Sequence, residues 1–169
     1  MPIFEREIPI DISGLGIILH SPDAARHIAP GEDYFTANYS TETAVQRHVQ
    51  VGSIIGFGTG SPGRFRLRIR EGYPAPDRIN GCRYRLRLGL VCSGGRVCVR
   101  DLYELMDWNP DCPSERMFDL ADGIYHVTLC SNPPESGIIG DDQLIWLFLQ
   151  QLPEFPALAR EGIPTLWTE

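Results

Sequence analysis

Arg64-Phe65-Arg66-Leu67-Arg68-Ile69-Arg70 alternates a guanidinium with an apolar side chain at every step. Arg83-Tyr84-Arg85-Leu86-Arg87-Leu88 repeats the pattern a short loop later. A period of two is that of a β-strand with one face buried and the other wet. Both stretches therefore predict strands of a sheet whose outer face is studded with arginine. All fifteen basic residues of the chain are arginine, and seven of them lie in these two strands.

Outward from these strands, the punctuation is that of short strands and turns. Ile8, Ile10 and Ile12 predict a first strand that breaks at Ser13-Gly14. Residues 21–43, rich in Pro, Gly, Ser, Thr and acids, predict a long loop with a helical turn near Asp23–His27. Val45, Val49, Val51, Ile54 and Ile55 predict a strand bent at Gly52-Ser53. The second arginine strand is expected from Cys82 to Cys92, with Ser93-Gly94-Gly95 as a tight hairpin into Arg96–Arg100. Leu102, Leu105 and Met106 have helical spacing, and Ile124–Cys130 alternates again. Gln143–Leu152 is apolar on both parities around Trp146, as a central strand covered on two sides would be, though its length also permits a helix. Pro153 and Pro156 end it, and the last dozen residues predict a short helix and tail.

The fold expected is mainly all-β, an antiparallel β-sandwich with one or two short helices. It forms a single domain over residues 1–169, with the long loop at about 21–43. A chain of 169 residues, 43% hydrophobic, is long enough to bury roughly 70% of its unfolded surface without a metal or disulfide.

Charge narrows the partners. The net charge is −7, which opposes general affinity for phosphate backbones, so no direct nucleic-acid binding is expected. The charge is also segregated: residues 64–100 hold ten arginines against Glu71 and Asp77, whereas residues 101–142 hold ten acids against Arg116. The five cysteines form no C-x-x-C, and Cys82 and Cys92 fall on the apolar parity of their strand. Glu5, Arg6, Glu7 and Asp11 interrupt any secretory signal, and Leu144–Leu149 is too short to cross a bilayer. A cytoplasmic protein with no membrane contact is the expectation.

No assembled catalytic set emerges. Gly58-Thr59-Gly60-Ser61-Pro62-Gly63 matches G-x-G-x-x-G, but a strand follows it where a dinucleotide site needs a helix amino terminus, so it reads as a hairpin loop. His126, Thr128 and Cys130 share one strand face, yet His126 and Cys130 stand roughly 13 Å apart at about 3.3 Å per residue, too far to pair. The four histidines show no ligand spacing, and no metal or cofactor is expected.

The candidate binding residues are therefore charged or aromatic. Arg64, Arg66, Arg68, Arg70, Arg83, Arg85 and Arg87 present guanidinium groups suited to bidentate recognition of phosphate or carboxylate. The alternative is a solvated sheet face. Neighbouring arginine rows repel, so acids must lie among them, and the block 101–142 is the expected source. Conversely, the acids of that block, including Asp111, Glu135, Asp141 and Asp142, form a negative surface for a partner with a basic cleft. Trp108, Tyr84 and Tyr103 are the candidate aromatic anchors.

Asp122-Gly123-Ile124-Tyr125-His126-Val127-Thr128-Leu129-Cys130, followed by Ser131-Asn132-Pro133-Pro134-Glu135, resembles the bacterial competence-nuclease inhibitor family. There too a Gly-x-Tyr strand runs into a proline-and-acid loop, and a closing apolar strand follows, here Gln143–Leu152. The layout is similar over residues 45–152, while the arginine strands and the 21–43 insertion depart from it. The resemblance implies a small β-sandwich that binds and silences a nuclease or toxin and performs no reaction of its own. The expectation is a non-enzymatic binding protein, an inhibitor or immunity protein. The alternative is a module binding an anionic small molecule or carbohydrate on its arginine face; an enzyme would need His126, Cys130 or the acids to converge in one cleft.

Overall fold

Alternation of buried and exposed side chains builds the first sheet. The computed structural model describes residues 5–158 and 163–167. In the strand Gly63–Glu71, Phe65, Leu67 and Ile69 are buried and the arginines between them face outward. In Tyr84–Cys92, Tyr84, Leu86, Leu88 and Leu90 are buried, while Arg85 and Arg87 are exposed. In chain order the elements are β1 (Glu5–Ile12), β2 (Gly16–His20), α1 (Tyr34–Asn38), α2 (Glu42–Val51), β3 (Ile54–Gly58) and β4 (Gly63–Glu71). They continue with α3 (Pro76–Asn80), β5 (Tyr84–Cys92), β6 (Arg96–Asp101), β7 (Met117–Asp119), β8 (Gly123–Ser131) and β9 (Gln143–Leu152).

The strands form two sheets, β1-β4-β9-β8-β5 and β3-β2-β6-β7. Their inner faces meet in one core that includes Ile8, Leu67, Leu147, Leu129 and Leu86 from the first sheet and Leu19, Val97 and Val99 from the second. The fold is thus mainly β with few helices. The pairings are antiparallel except one: β4 and β9 run parallel, from Phe65 beside Gln143 to Glu71 beside Leu149. Apolar on both parities, β9 lies at the centre of its sheet, as its composition requires.

Several elements differ from the sequence reading. Residues 42–51 form α2, not a strand, because Val45 and Val49 are four apart and bury together on one helical face. The Thr41 hydroxyl caps this helix by accepting from the Ala44 N–H (3.1 Å), and Gly52 ends it. The 21–43 segment contains a 3-10 turn at Pro22–Ala25, α1 and the start of α2. Strand β2, every residue buried, carries no alternation to betray it. The turns at 58–63 and 93–95 are not hairpins: β3 and β4, like β5 and β6, lie in different sheets, so each turn arches across the sandwich. The expected terminal helix falls partly on 159–162 and 168–169, outside the described residues; Thr165 bridges Gly58. No described helix is long and apolar enough to cross a membrane.

Candidate functional site

Strand register fixes what stands beside what on the outer face of the five-stranded sheet. One transverse row reads Glu7, Arg68, Trp146, Cys130 and Arg85; the next reads Glu5, Arg70, Phe148, Thr128 and Arg87. The two arginine rows share a face, but β9 and β8 separate them, about 14 Å at the usual strand spacing. They are not neighbours, so the mutual repulsion expected of them does not arise.

Between the rows lies a small second apolar cluster of Cys82, Cys130, Trp146 and Phe148. Trp146 and Phe148 stack at 6.0 Å between centroids. Guanidinium groups cover the indole: Arg78 of α3 at 4.0 Å, Arg70 at 4.8 Å and Arg68 at 4.9 Å. Planar, weakly hydrated cations suit an aromatic face, so Trp146 is buried beneath arginine.

The acids that compensate the β4 row come mainly from β1, which the sequence reading did not foresee. Glu7 bridges Arg66 (3.1 Å) and Arg68 (3.2 Å), and Glu5 pairs with Arg70 (3.1 Å). From the acidic block, among the described residues, only Asp142 joins them, 3.2 Å from Arg66. Slight burial pushes the Glu7 carboxyl up, but the hydrogen bonds and charges of Arg66 and Arg68 outweigh it and hold the group below its ordinary value.

The loop between β8 and β9 rims this face. Residues 131–136 and 141–144 and Trp146 enclose, with Arg66 and Cys82, a cleft of about 570 Å³ that includes Glu135, Asp141 and Asp142. The loop is tied by its own backbone: Gly137 N–H donates to the Pro134 carbonyl (2.9 Å) and Asp141 N–H to the Ile138 carbonyl (3.1 Å). Arg64 N–H donates to the Gly140 carbonyl (2.8 Å), and Gly63 and Gly140 touch backbone to backbone where a Cβ on either would collide. Asp142 holds φ at 50°, a conformation rare for side-chain-bearing residues. Ile138, between Glu135 and Asp141 in the loop sequence, is 65% exposed. The sequence reading passed over Ile138 because nothing in its spacing marks an apolar residue as uncovered.

The remaining predicted residues separate. Arg64 and Arg83 are exposed at the ends of their strands. Cys130 is buried, and burial with the neighbouring Cys82 pushes its thiol up to about 12; Tyr73, not Cys130, bonds His126 at Nδ1 (3.0 Å). Tyr84 faces the core, and Trp108, 3% exposed, is no surface anchor.

Trp108 instead walls a cavity of about 410 Å³ on the outer face of the other sheet, with His20, Cys98, Arg100 and Cys112. Arg100 is 1% exposed, lies 4.3 Å from the Trp108 ring, and donates to Glu104 (3.2 Å) and the Pro110 carbonyl (3.3 Å). His20 donates from Nδ1 to the Ser21 carbonyl (2.8 Å), and burial takes it down to about 4, so it is neutral. A hydrogen bond with Cys98 lowers the Cys112 thiol below its ordinary value, with Arg100 and Arg116 adding to the effect. Asp111 is exposed on the loop beside this cavity, far in sequence from Glu135, Asp141 and Asp142. No cluster of three or more His, Cys, Asp or Glu fit for a metal occurs among the described residues.

Solved structures share this two-sheet architecture. A solved structure of ComJ, inhibitor of the DNA-degrading activity of NucA, from Bacillus subtilis, superposes with a TM-score of 0.55. It shares 11% identity and covers 90% of this chain and 100% of its own. The crocagin biosynthetic gene J protein superposes with a TM-score of 0.54 at 17% identity, covering 88% of this chain and 98% of its own. Identities this low show a common fold and nothing narrower. No protein-family profile and no curated protein sequence matches the chain.

Proposed function

We propose that this protein is a binding protein that silences a nuclease by docking on it through the 131–142 loop. What carries the reading is that loop: it is tied by its own backbone, Ile138 is exposed on it, and Glu135, Asp141 and Asp142 lie in the same short stretch. A nuclease must hold a polyphosphate chain, so its cleft is basic, and an acidic loop complements it and speeds association. An exposed apolar side chain on an acidic loop suits an interface anchor with a polar rim. Pre-ordering of the loop keeps the entropy lost on docking small. ComJ, which shares the fold over its whole length, inhibits a nuclease and lends the reading support.

The test is affinity capture of the tagged protein from its native cell, followed by a DNA-degradation assay on the eluate before and after dissociation in high salt. A stoichiometric partner is expected whose nuclease activity appears only on dissociation. The variant Ile138→Asp/Asp141→Lys/Asp142→Lys should capture none of it. A partner without DNA-degrading activity, or equal capture by the variant, overturns the proposal.

A further inference from the structure

Only half of the outer face is electrically compensated. Arg66, Arg68 and Arg70 are matched by Glu7, Glu5 and Asp142. Arg85 and Arg87, on the far side of Trp146 and Phe148, are exposed and have no carboxylate within ion-pair distance among the described residues. Arg78 of α3 is likewise exposed, resting on the indole of Trp146. Arg87 lies 5.6 Å from the Tyr73 ring, which leaves its charge unneutralised, and a cationic patch without carboxylate partners in a protein of net charge −7 is a local inversion of the overall field.

That patch borders a hollow. Arg85 and Arg87 line a cleft of about 380 Å³, walled by Ile79, Ala157 and Leu158 and floored by His126 and Thr128. The wall exists because Gly89 carries no side chain. The ring of Phe155 lies against Gly89 and Gly52, seating residues 153–158 over β5 and β8. Thr128, cross-strand neighbour of Arg87, lines the cleft, and its hydroxyl is buried without a hydrogen-bond partner. An orphan hydroxyl beside two uncompensated guanidiniums is what a site for an oxyanion leaves when the anion is subtracted. Burial and then the charge of Arg87 lower His126, so the imidazole is neutral at neutral pH and the cation is supplied by arginine. The apolar wall beside the cations calls for a ligand that is not an anion alone.

We infer that this cleft binds a small molecule carrying a phosphate or carboxylate group, clamped by Arg85 and Arg87, with a compact apolar body against Ile79 and Leu158. The site goes beyond the nuclease-docking reading and uses none of the loop residues 133–142, so each stands or falls separately. It also divides the arginine-rich face. The β5 row binds, whereas Arg66, Arg68 and Arg70 of the β4 row are already paired with Glu5, Glu7 and Asp142.

Isothermal titration of the full chain with phenyl phosphate, benzoate, inorganic phosphate and benzyl alcohol tests it. Phenyl phosphate or benzoate should bind at least tenfold more tightly than inorganic phosphate, and benzyl alcohol should give no heat. Whichever oxyanion binds better identifies the headgroup. Arg85→Gln/Arg87→Gln, both exposed positions, should weaken binding at least tenfold, while Arg64→Gln should leave it unchanged. Far-ultraviolet circular dichroism and the melting temperature of each variant check that it is folded. The inference is overturned if neither aromatic oxyanion binds, if the neutral alcohol binds as well as the anions, or if the folded double variant keeps wild-type affinity.

Discussion

Replacing Glu104 by Gln should destabilise the protein more than replacing Arg100 by Met, although the two residues form one ion pair. The reason is asymmetric burial: Arg100 keeps 1% of its side-chain surface and Glu104 keeps 30%. With Glu104 neutralised, a guanidinium stays in the interior without counter-charge, a loss of about 3–5 kcal/mol by analogy with broken buried pairs. The Gln oxygen can still accept from the Asp101 N–H (2.8 Å in the wild type), so the cap survives and the loss reports the charge. With Arg100→Met, Glu104 turns to water and Arg116, 3.5 Å away. What goes is a charge-assisted hydrogen bond of about 1.5–3 kcal/mol and the cation–ring contact of up to about 2 kcal/mol. Release of the guanidinium from its desolvation offsets part of this, and Met refills much of the volume against Trp108. A net loss of about 1–2 kcal/mol follows for Arg100→Met, and the double variant should lie within about 1 kcal/mol of wild type. Urea denaturation followed by tryptophan fluorescence measures all four proteins. Additive losses in the double variant, or Arg100→Met proving the worse single change, would refute the reasoning.

Glu7 sets an acid limb of stability. Its folded value lies below the ordinary 4.5, so its contribution is full above that pH and is lost as pH falls through the folded value. Glu7→Gln should flatten the acid end of the stability profile by about 0.5–1 kcal/mol, the modest size fitting an exposed network; an unchanged profile counts against it. Cys112, held below its ordinary value, should be alkylated by iodoacetamide ahead of buried Cys82, Cys92, Cys98 and Cys130. Mass spectrometry against time and pH should place its rate midpoint below the ordinary thiol range, and a midpoint within that range would contradict the Cys98 contact.

The strands that a reader of the sequence can find are those with one wet face. Strands β1, β4, β5 and β8 alternate and were legible, and β9 was legible from its apolar run on both parities, although its length also permitted a helix. Strand β2 was not, because five buried residues in a row have no period. Helix α2 was missed because Val45, Val49 and Val51 favour strands individually, whereas burial follows the four-residue spacing of the first two. The arginines were visible as a set, but their division was not. Which row meets acid depends on β1 pairing with β4 across some sixty residues, a fact of topology. Trp108 and Arg100 shared a fate: a surface-type sequence context conceals that Pro22–Pro30 and the 107–113 loop fold over them.

The parallel pairing of β4 with β9 has a consequence for biosynthesis. The middle of the five-stranded sheet is the last strand to leave the ribosome, some eighty residues after its partner. Until it emerges, β1 with β4 and β5 with β8 can form only two separate ribbons, each with an unsatisfied apolar edge. Nascent chains ending before residue 143 should therefore be protease-sensitive and chaperone-dependent, and the sheet should close in a single late step.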